Sequence, residues 1–218
     1  MPERYEFQRE LDMLHKDLTQ MGANIEASMD DMIEALLTQN VELAQQVIDR
    51  DKDINKMERK IESECILLIA RQQPIATDLR DITSVLKIIT DLERIADHCA
   101  DISQYTINLS KEKYIKPLIH IPEMVDKVKC MVKDAIDSCV KKDVQLAKEI
   151  WNRDDEVDQY FYSIVNELVE LMIENPEEIR QCKELMFIVK YLEKMGDHAT
   201  NIADWIVYTV TGSHAKYN

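Results

Sequence analysis

From about Glu6 to Thr38 the apolar residues Leu11, Leu14, Leu18, Met21, Ile25, Met29, Met32, Ile33 and Leu36 recur every three or four positions. That period places them on one stripe of a helix, so the stretch is predicted to be a single long amphipathic helix. Asn40 interrupts the pattern, and a second helix is expected from near Val41, through Val47, Ile54 and Ile61, to about Ala70. Gln73-Pro74 ends it, because proline excludes helical geometry from the residue before it. Asp78 is the expected N-cap of a third helix, with Asp81 in its first turn, and the apolar stripe then runs from Ile82 to about Leu109. Three helices of roughly 30 residues, each about 45 Å long and joined by short turns, make an up-down-up antiparallel bundle.

Lys111 to Pro122 carries two prolines and loses the helical period, so it is expected to be a linker. The pattern then starts again. Asp91-Leu92-Glu93-Arg94-Ile95-Ala96-Asp97-His98 returns as Tyr191-Leu192-Glu193-Lys194-Met195-Gly196-Asp197-His198, 100 residues on. Val41-Glu42-Leu43-Ala44 and Arg50-Asp51 return as Val144-Gln145-Leu146-Ala147 and Arg153-Asp154, 103 residues on. Asn175-Pro176-Glu177-Glu178 is expected to start the last helix, with an N-cap, proline in the first position and Glu in the third. The chain is therefore predicted to be all-α: two tandem three-helix bundles, residues 1–112 and 113–218, formed by an internal repeat.

Within the repeat, carboxylates and amides recur at helical spacing. Glu93, Asp97 and Asp101 stand four apart on the third helix, and Glu193, Asp197 and Asn201 on the last. The preceding helices carry Asp51 with Asn55 and Asp154 with Asp158. Like charges at that spacing cost a helix roughly 0.2–0.5 kcal/mol per pair, so a compensating cation is expected, either a metal ion or basic side chains. Folding each hairpin about its turn, near Pro74 and near Asn175-Pro176, sets Asp51 opposite Asp97 and Asn55 opposite Glu93. It likewise sets Asp154 opposite Asp197 and Asp158 opposite Glu193. Four oxygen-bearing side chains per half, without Cys or His, suit a hard cation: Mg, Ca, Mn or iron. The alternatives are a solvated acidic face or an acidic patch facing a membrane or a kinase. His98 and His198 follow the central Asp on the flank of the helix and are expected to be packed or solvent-bonded rather than ligands.

Composition narrows the function classes. Gly is 3 and Pro 5 in 218 residues, as suits an all-helical chain. The net charge of -15 argues against a nucleic-acid partner and favours hard cations or a basic protein surface. Five cysteines without C-x-x-C spacing read as reduced residues, and no signal peptide or span-length apolar run is visible, so a cytoplasmic location is expected. A carboxylate-bridged di-metal enzyme would need Glu-x-x-His pairs. The residues three before each histidine are Asp12, Ile95, Pro117, Met195 and Thr211, so none exists. With no phosphate-cradling loop and no nucleophile elbow, no catalytic residue is assigned and no enzyme activity is expected.

Gln73-Pro74-Ile75-Ala76-Thr77-Asp78-Leu79-Arg80, Leu92-Glu93-Arg94-Ile95-Ala96-Asp97-His98 and Leu192 to Ile202 resemble the PhoU family of phosphate-signalling regulators, over nearly the whole chain. The resemblance implies a cytoplasmic, non-enzymatic negative regulator of phosphate uptake and of the phosphate-starvation response. It would act as an adaptor between the ATPase subunit of a phosphate ABC transporter and a sensor histidine kinase, peripheral to the membrane through those partners and expected as a homodimer. A regulator of another phosphate carrier is the alternative. Some members hold multinuclear metal clusters on E(D)-x-x-x-D motifs, which fall here on Asp51/Asn55, Glu93/Asp97, Asp154/Asp158 and Glu193/Asp197. Asn55 departs from the acidic pattern, and Lys194 stands where Arg is more usual.

Overall fold

The computed structural model describes residues 2–115, 118 and 120–214. Its elements are helices: α1 (Pro2–Thr38), α2 (Val41–Gln72), α3 (Ala76–Leu109), α4 (His120–Lys141), α5 (Val144–Glu174) and α6 (Ile179–Thr211), with a 3₁₀ turn at Pro176–Glu178 before α6. Their order is the predicted one, an up-down-up bundle followed by its repeat.

The turns rest on local chemistry. Asn40 caps α2, its side chain accepting from the Leu43 amide at 3.0 Å, and Asp143 does the same for α5 from the Gln145 and Leu146 amides. Gln73 closes α2 in the left-handed region at φ 44°.

Three expectations need correction. Asp78 is not the N-cap of α3. The helix begins at Ala76 after the extended residue Ile75, which makes no side-chain cap, and Asp78 lies in the first turn near the positive end of the helix dipole. Asn175 makes no side-chain cap either; Pro176 opens the 3₁₀ turn, and the Glu178 amide donates to the Asn175 carbonyl. The linker ends before Pro122, since α4 already starts at His120 and a proline in the first turn removes only an N–H that has no partner there. Part of that linker, residues 116, 117 and 119, lies outside the described residues.

α1 packs on α2 and α3, and α4 packs on α5 and α6. Among the described helices the halves meet through α3 against α6 and α1 against α4, which leaves α2 and α5 on the outer flanks. One hydrophobic core runs through both halves, with Met21, Met29, Ile95, Met131, Leu185 and Met195 all fully buried. The repeat extends to ion pairs: Arg50 joins Asp31 at 2.5 Å in the first half, and Arg153 joins Asp134 in the second.

α3 and α6 run antiparallel along their seam. Tyr105 stacks on Phe187 with centroids 5.5 Å apart, His98 lies 5.1 Å from the Tyr191 ring, and Asp91 meets His198. At the α1–α4 contact, Lys129 pairs with Asp30, and Gly22 faces Ile136 so closely that a Cβ there would come 2.7 Å from Ile136 Cγ2.

The connection between the halves is pinned by side chains. Gln39 Nε2 donates to the carbonyls of Leu109 and Glu112 at 3.0 and 2.8 Å. The Tyr114 hydroxyl donates to the Leu36 carbonyl at 2.6 Å. Gln181, itself buried, accepts from the Ile115 amide at 2.5 Å and donates to the Lys113 carbonyl at 3.1 Å.

Candidate functional site: two acidic clusters flanking a histidine seam

The first cluster forms where α2 runs beside α3. The Asn55 amide donates to Asp51 Oδ2 at 3.1 Å, while Asp51 Oδ1 and Asn55 Oδ1 are buried without any hydrogen-bond donor. Burial, and next the charge of Asp97, push the Asp51 carboxyl above its ordinary value. Burial and Asp97 do the same to Glu93 and to Asp101. Glu58, which spacing did not single out, belongs here too: burial and Glu62 raise it, and its charge in turn raises Glu93. It stands three residues past Asn55 on α2, so the spacing rule applied one step further finds it.

The second cluster lies between α5 and α6. Burial, followed by Glu193 and Asp197, raises Asp158. Asp154 sits beside Gly196, with Asp154 Oδ1 3.6 Å from where a Cβ on that glycine would be. The Trp151 indole donates to the Thr200 carbonyl at 3.2 Å and ties the two helices together there.

Basic side chains supply part of the compensation. Arg94 Nη1 reaches Asp97 at 3.1 Å and Arg94 Nε lies 3.6 Å from Glu93. In the second cluster Lys194 pairs with Asp197 and, at 3.4 Å, with Glu193, which Lys190 also reaches at 2.7 Å. As these side chains stand, no three His, Cys, Asp or Glu groups among the described residues converge closely enough to hold a metal ion. The fit to a cation rests instead on the orphaned, buried oxygens of Asp51 and Asn55, which offer only lone pairs at a place where burial and like charges raise Asp51, Glu93 and Asp101. An oxygen-only donor set of this kind fits a hard cation.

Between the clusters lies the α3–α6 seam. His198 Nδ1 and Asp91 Oδ1 are 2.8 Å apart, and the Asn201 amide reaches the same oxygen at 3.4 Å. Asn201 is thus drawn to α3 and the seam rather than to Asp154 and Asp158. His98, where the repeat puts Tyr191 in place of an aspartate, has a buried Nδ1 with no hydrogen bond. Burial, then His198, Arg94 and Lys194, push its imidazole down to about 4. The two histidine rings meet across the seam with centroids 5.6 Å apart, and His98 Nδ1 lies 3.8 Å from Asp101 Oδ2 at the edge of the first cluster.

Cys65, Cys99 and Cys182 are buried thiols, Cys139 is half-buried and Cys130 exposed; all five are free. Among the described residues no helix is long and apolar enough to cross a membrane.

Two segments, 18–106 and 121–206, match the model of the PhoU domain, one in each half. A protein of Clostridium acetobutylicum named phosphate-specific transport system accessory protein PhoU homolog is 39% identical over 97% of both chains. A relative of the same name from Pseudomonas aeruginosa is 35% identical over 97% of this chain and 88% of its own. The crystal structure of PhoU from Pseudomonas aeruginosa superimposes with a TM-score of 0.92 at 35% identity, covering 95% of this chain and all 100% of that one. The phosphate transport system regulatory protein PhoU from Streptococcus pneumoniae follows at 0.89 and 27% identity, over 96% and 99%. With a family match in each half, and relatives of this identity along almost its full length, the chain belongs to the PhoU family.

Proposed function

We propose that this chain is a non-enzymatic, cytoplasmic regulator of phosphate transport that restrains phosphate uptake and the starvation response when phosphate is plentiful. It does so as an adaptor, docking on the ATPase subunit of a phosphate ABC transporter and on a sensor histidine kinase. The observation that carries the reading is the near full-length likeness to proteins named as accessory to phosphate-specific transport. The sequence sets no nucleophile elbow and no phosphate-cradling loop beside the carboxylates, which supports a binding role over a catalytic one.

In this reading the acidic clusters hold hard cations. Asp51, Asn55, Glu93 and Asp97, with Asp101 beside them, would bind in the first; Asp154, Asp158, Glu193 and Asp197 in the second. The ion supplies positive charge, offsetting repulsion among carboxylates that Arg94, Lys190 and Lys194 otherwise share. Deleting the gene should switch on starvation genes in high phosphate, and the intact protein should capture transporter or kinase components. A normal response with neither component recovered refutes the adaptor role. Elemental analysis of protein purified without chelator or affinity-tag metal tests the cation. Asp197→Ala should lower both metal content and the stabilisation that added Mn²⁺ or Mg²⁺ gives on melting, which reaches about 2.7 kcal/mol for wild type at a hundredfold excess over Kd. If neither changes, the second cluster binds no metal.

A further inference from the structure

The outer helices α2 and α5 hold equivalent places in the repeat, yet their surfaces differ. On α5, Tyr162, Val169 and Ile173 recur at helical spacing and are 64%, 41% and 74% exposed, forming one apolar strip. Val165 and Met172 lie half-buried along it. α5 packs only on α4, on α6 and on the 3₁₀ turn, so none of the described elements covers the strip. The corresponding positions of α2 are Arg59, Ile66 and Ala70, with Glu62 in place of Val165.

Charge diverges in the same stretch. The 25 residues from Asp154 to Glu178 contain nine carboxylates and no Lys or Arg, whereas their counterparts from Asp51 to Ile75 contain five acidic and five basic residues. Two of the nine are turned to α4, Glu156 to Lys127 and Glu167 to His120. Glu170, Glu174 and Glu177 are exposed beside the strip or at its end.

We propose that this strip of α5 is a docking surface for a basic amphipathic helix of a partner protein. From Tyr162 to Ile173 the strip runs about 16 Å, three helical turns, the length over which a partner helix can seat its apolar ridge between Tyr162 and Ile173. The flanking carboxylates select lysine or arginine on the partner's edges and speed encounter at low salt. They repel anionic lipid headgroups, and they oppose the same strip on a second copy of this chain. The inference rests on the adaptor reading only in requiring a protein partner; it adds the surface and the chemistry of what lies on it.

The test titrates the intact protein into a fluorescein-labelled peptide of about 18 residues, leucine and lysine arranged as an amphipathic helix, read by fluorescence anisotropy. Wild type should bind it about tenfold or more tightly than a scrambled peptide of the same composition. Val169→Ser with Ile173→Ser, which leaves the charge unchanged, should remove that preference, while Ile66→Ser on α2 should keep it. Both positions are exposed, and Tyr162→Ser gives a second, separate disruption. Equal binding of the scrambled peptide, or a double variant that binds like wild type, overturns the proposal. So does binding to phosphatidylglycerol vesicles that the double variant loses, which assigns the strip to a lipid surface. Sedimentation in which wild type is dimeric and the double variant monomeric overturns it in favour of a second copy. The adaptor role is judged separately: a deletion strain with a normal starvation response removes that role, and helix-selective peptide binding through the strip stands regardless.

Discussion

Gly22→Ala tests how closely the two halves are held. Gly22 lies inside α1 at its contact with α4, and an added methyl would meet three atoms of Ile136, Cγ2 at 2.7 Å, Cδ1 at 3.1 Å and Cγ1 at 3.2 Å. Ile136 is β-branched and buried, so turning it away means leaving the one χ1 rotamer a helix favours, and the alternative is for α1 and α4 to separate. Overpacking of this kind costs about 1–3 kcal/mol, against about 0.5–1 kcal/mol that alanine returns through its better helix propensity. The net expectation is a loss of up to about 2.5 kcal/mol, or a fall in Tm of up to about 10 °C for a chain of this size. Thermal melts followed by circular dichroism measure it. The sign should invert in an Ile136→Ala background: with the clash gone, Gly22→Ala becomes stabilising, and the cycle reports the coupling. A Gly22→Ala protein that melts above wild type would refute the close approach.

Gly196 provides the contrast. A Cβ there would meet Val157, Asp154 and Met131 at 3.5–3.8 Å, ordinary contact distances, so Gly196→Ala should stabilise by about 0.5–1 kcal/mol, seen as a raised urea midpoint with unchanged slope. Asp81 should make the fold acid-sensitive. Burial alone would raise its carboxyl, but His15 at 3.5 Å and Lys142 at 2.6 Å outweigh burial and hold it below the ordinary value. A depressed carboxyl contributes fully above its unfolded value, about 3.9, and loses that contribution as pH falls further. Melting temperatures of Asp81→Asn should therefore lie below wild type at pH 6 and converge on it toward pH 3; parallel curves would refute the pairing.

The six helices were legible because apolar residues repeat at helical spacing with few exceptions. The heights at which Asp51 and Asp97, or Asp158 and Glu193, face each other followed from the hairpins being short-turned. Other features depended on contacts between residues distant in sequence. Asn201 reads as a third member of an acidic ladder, but its amide goes to Asp91, because α6 leans on α3 along a seam that no local pattern announces. Arg94 and Lys194 sit inside the very motifs that carry the carboxylates, three residues before Asp97 and one after Glu193, and answer part of the charge problem without leaving their own helix. The start of α3 escaped the capping rule because Pro74 and Ile75 hold the chain extended, and the helix begins there with no side-chain cap.

The pinned connection between α3 and α4 fixes more than a path. A short flexible tether already gives joined modules a millimolar effective concentration, and this one is fastened by Gln39, Tyr114 and Gln181, so the halves meet in a single arrangement. Dilution cannot part them. Each acidic cluster therefore always has the other as its neighbour, at a fixed ratio of one to one, whether the cell holds many copies of the protein or few. On the cation-binding role proposed above, what would vary is how the two clusters are filled, and a signal read from this molecule would report occupancy rather than abundance.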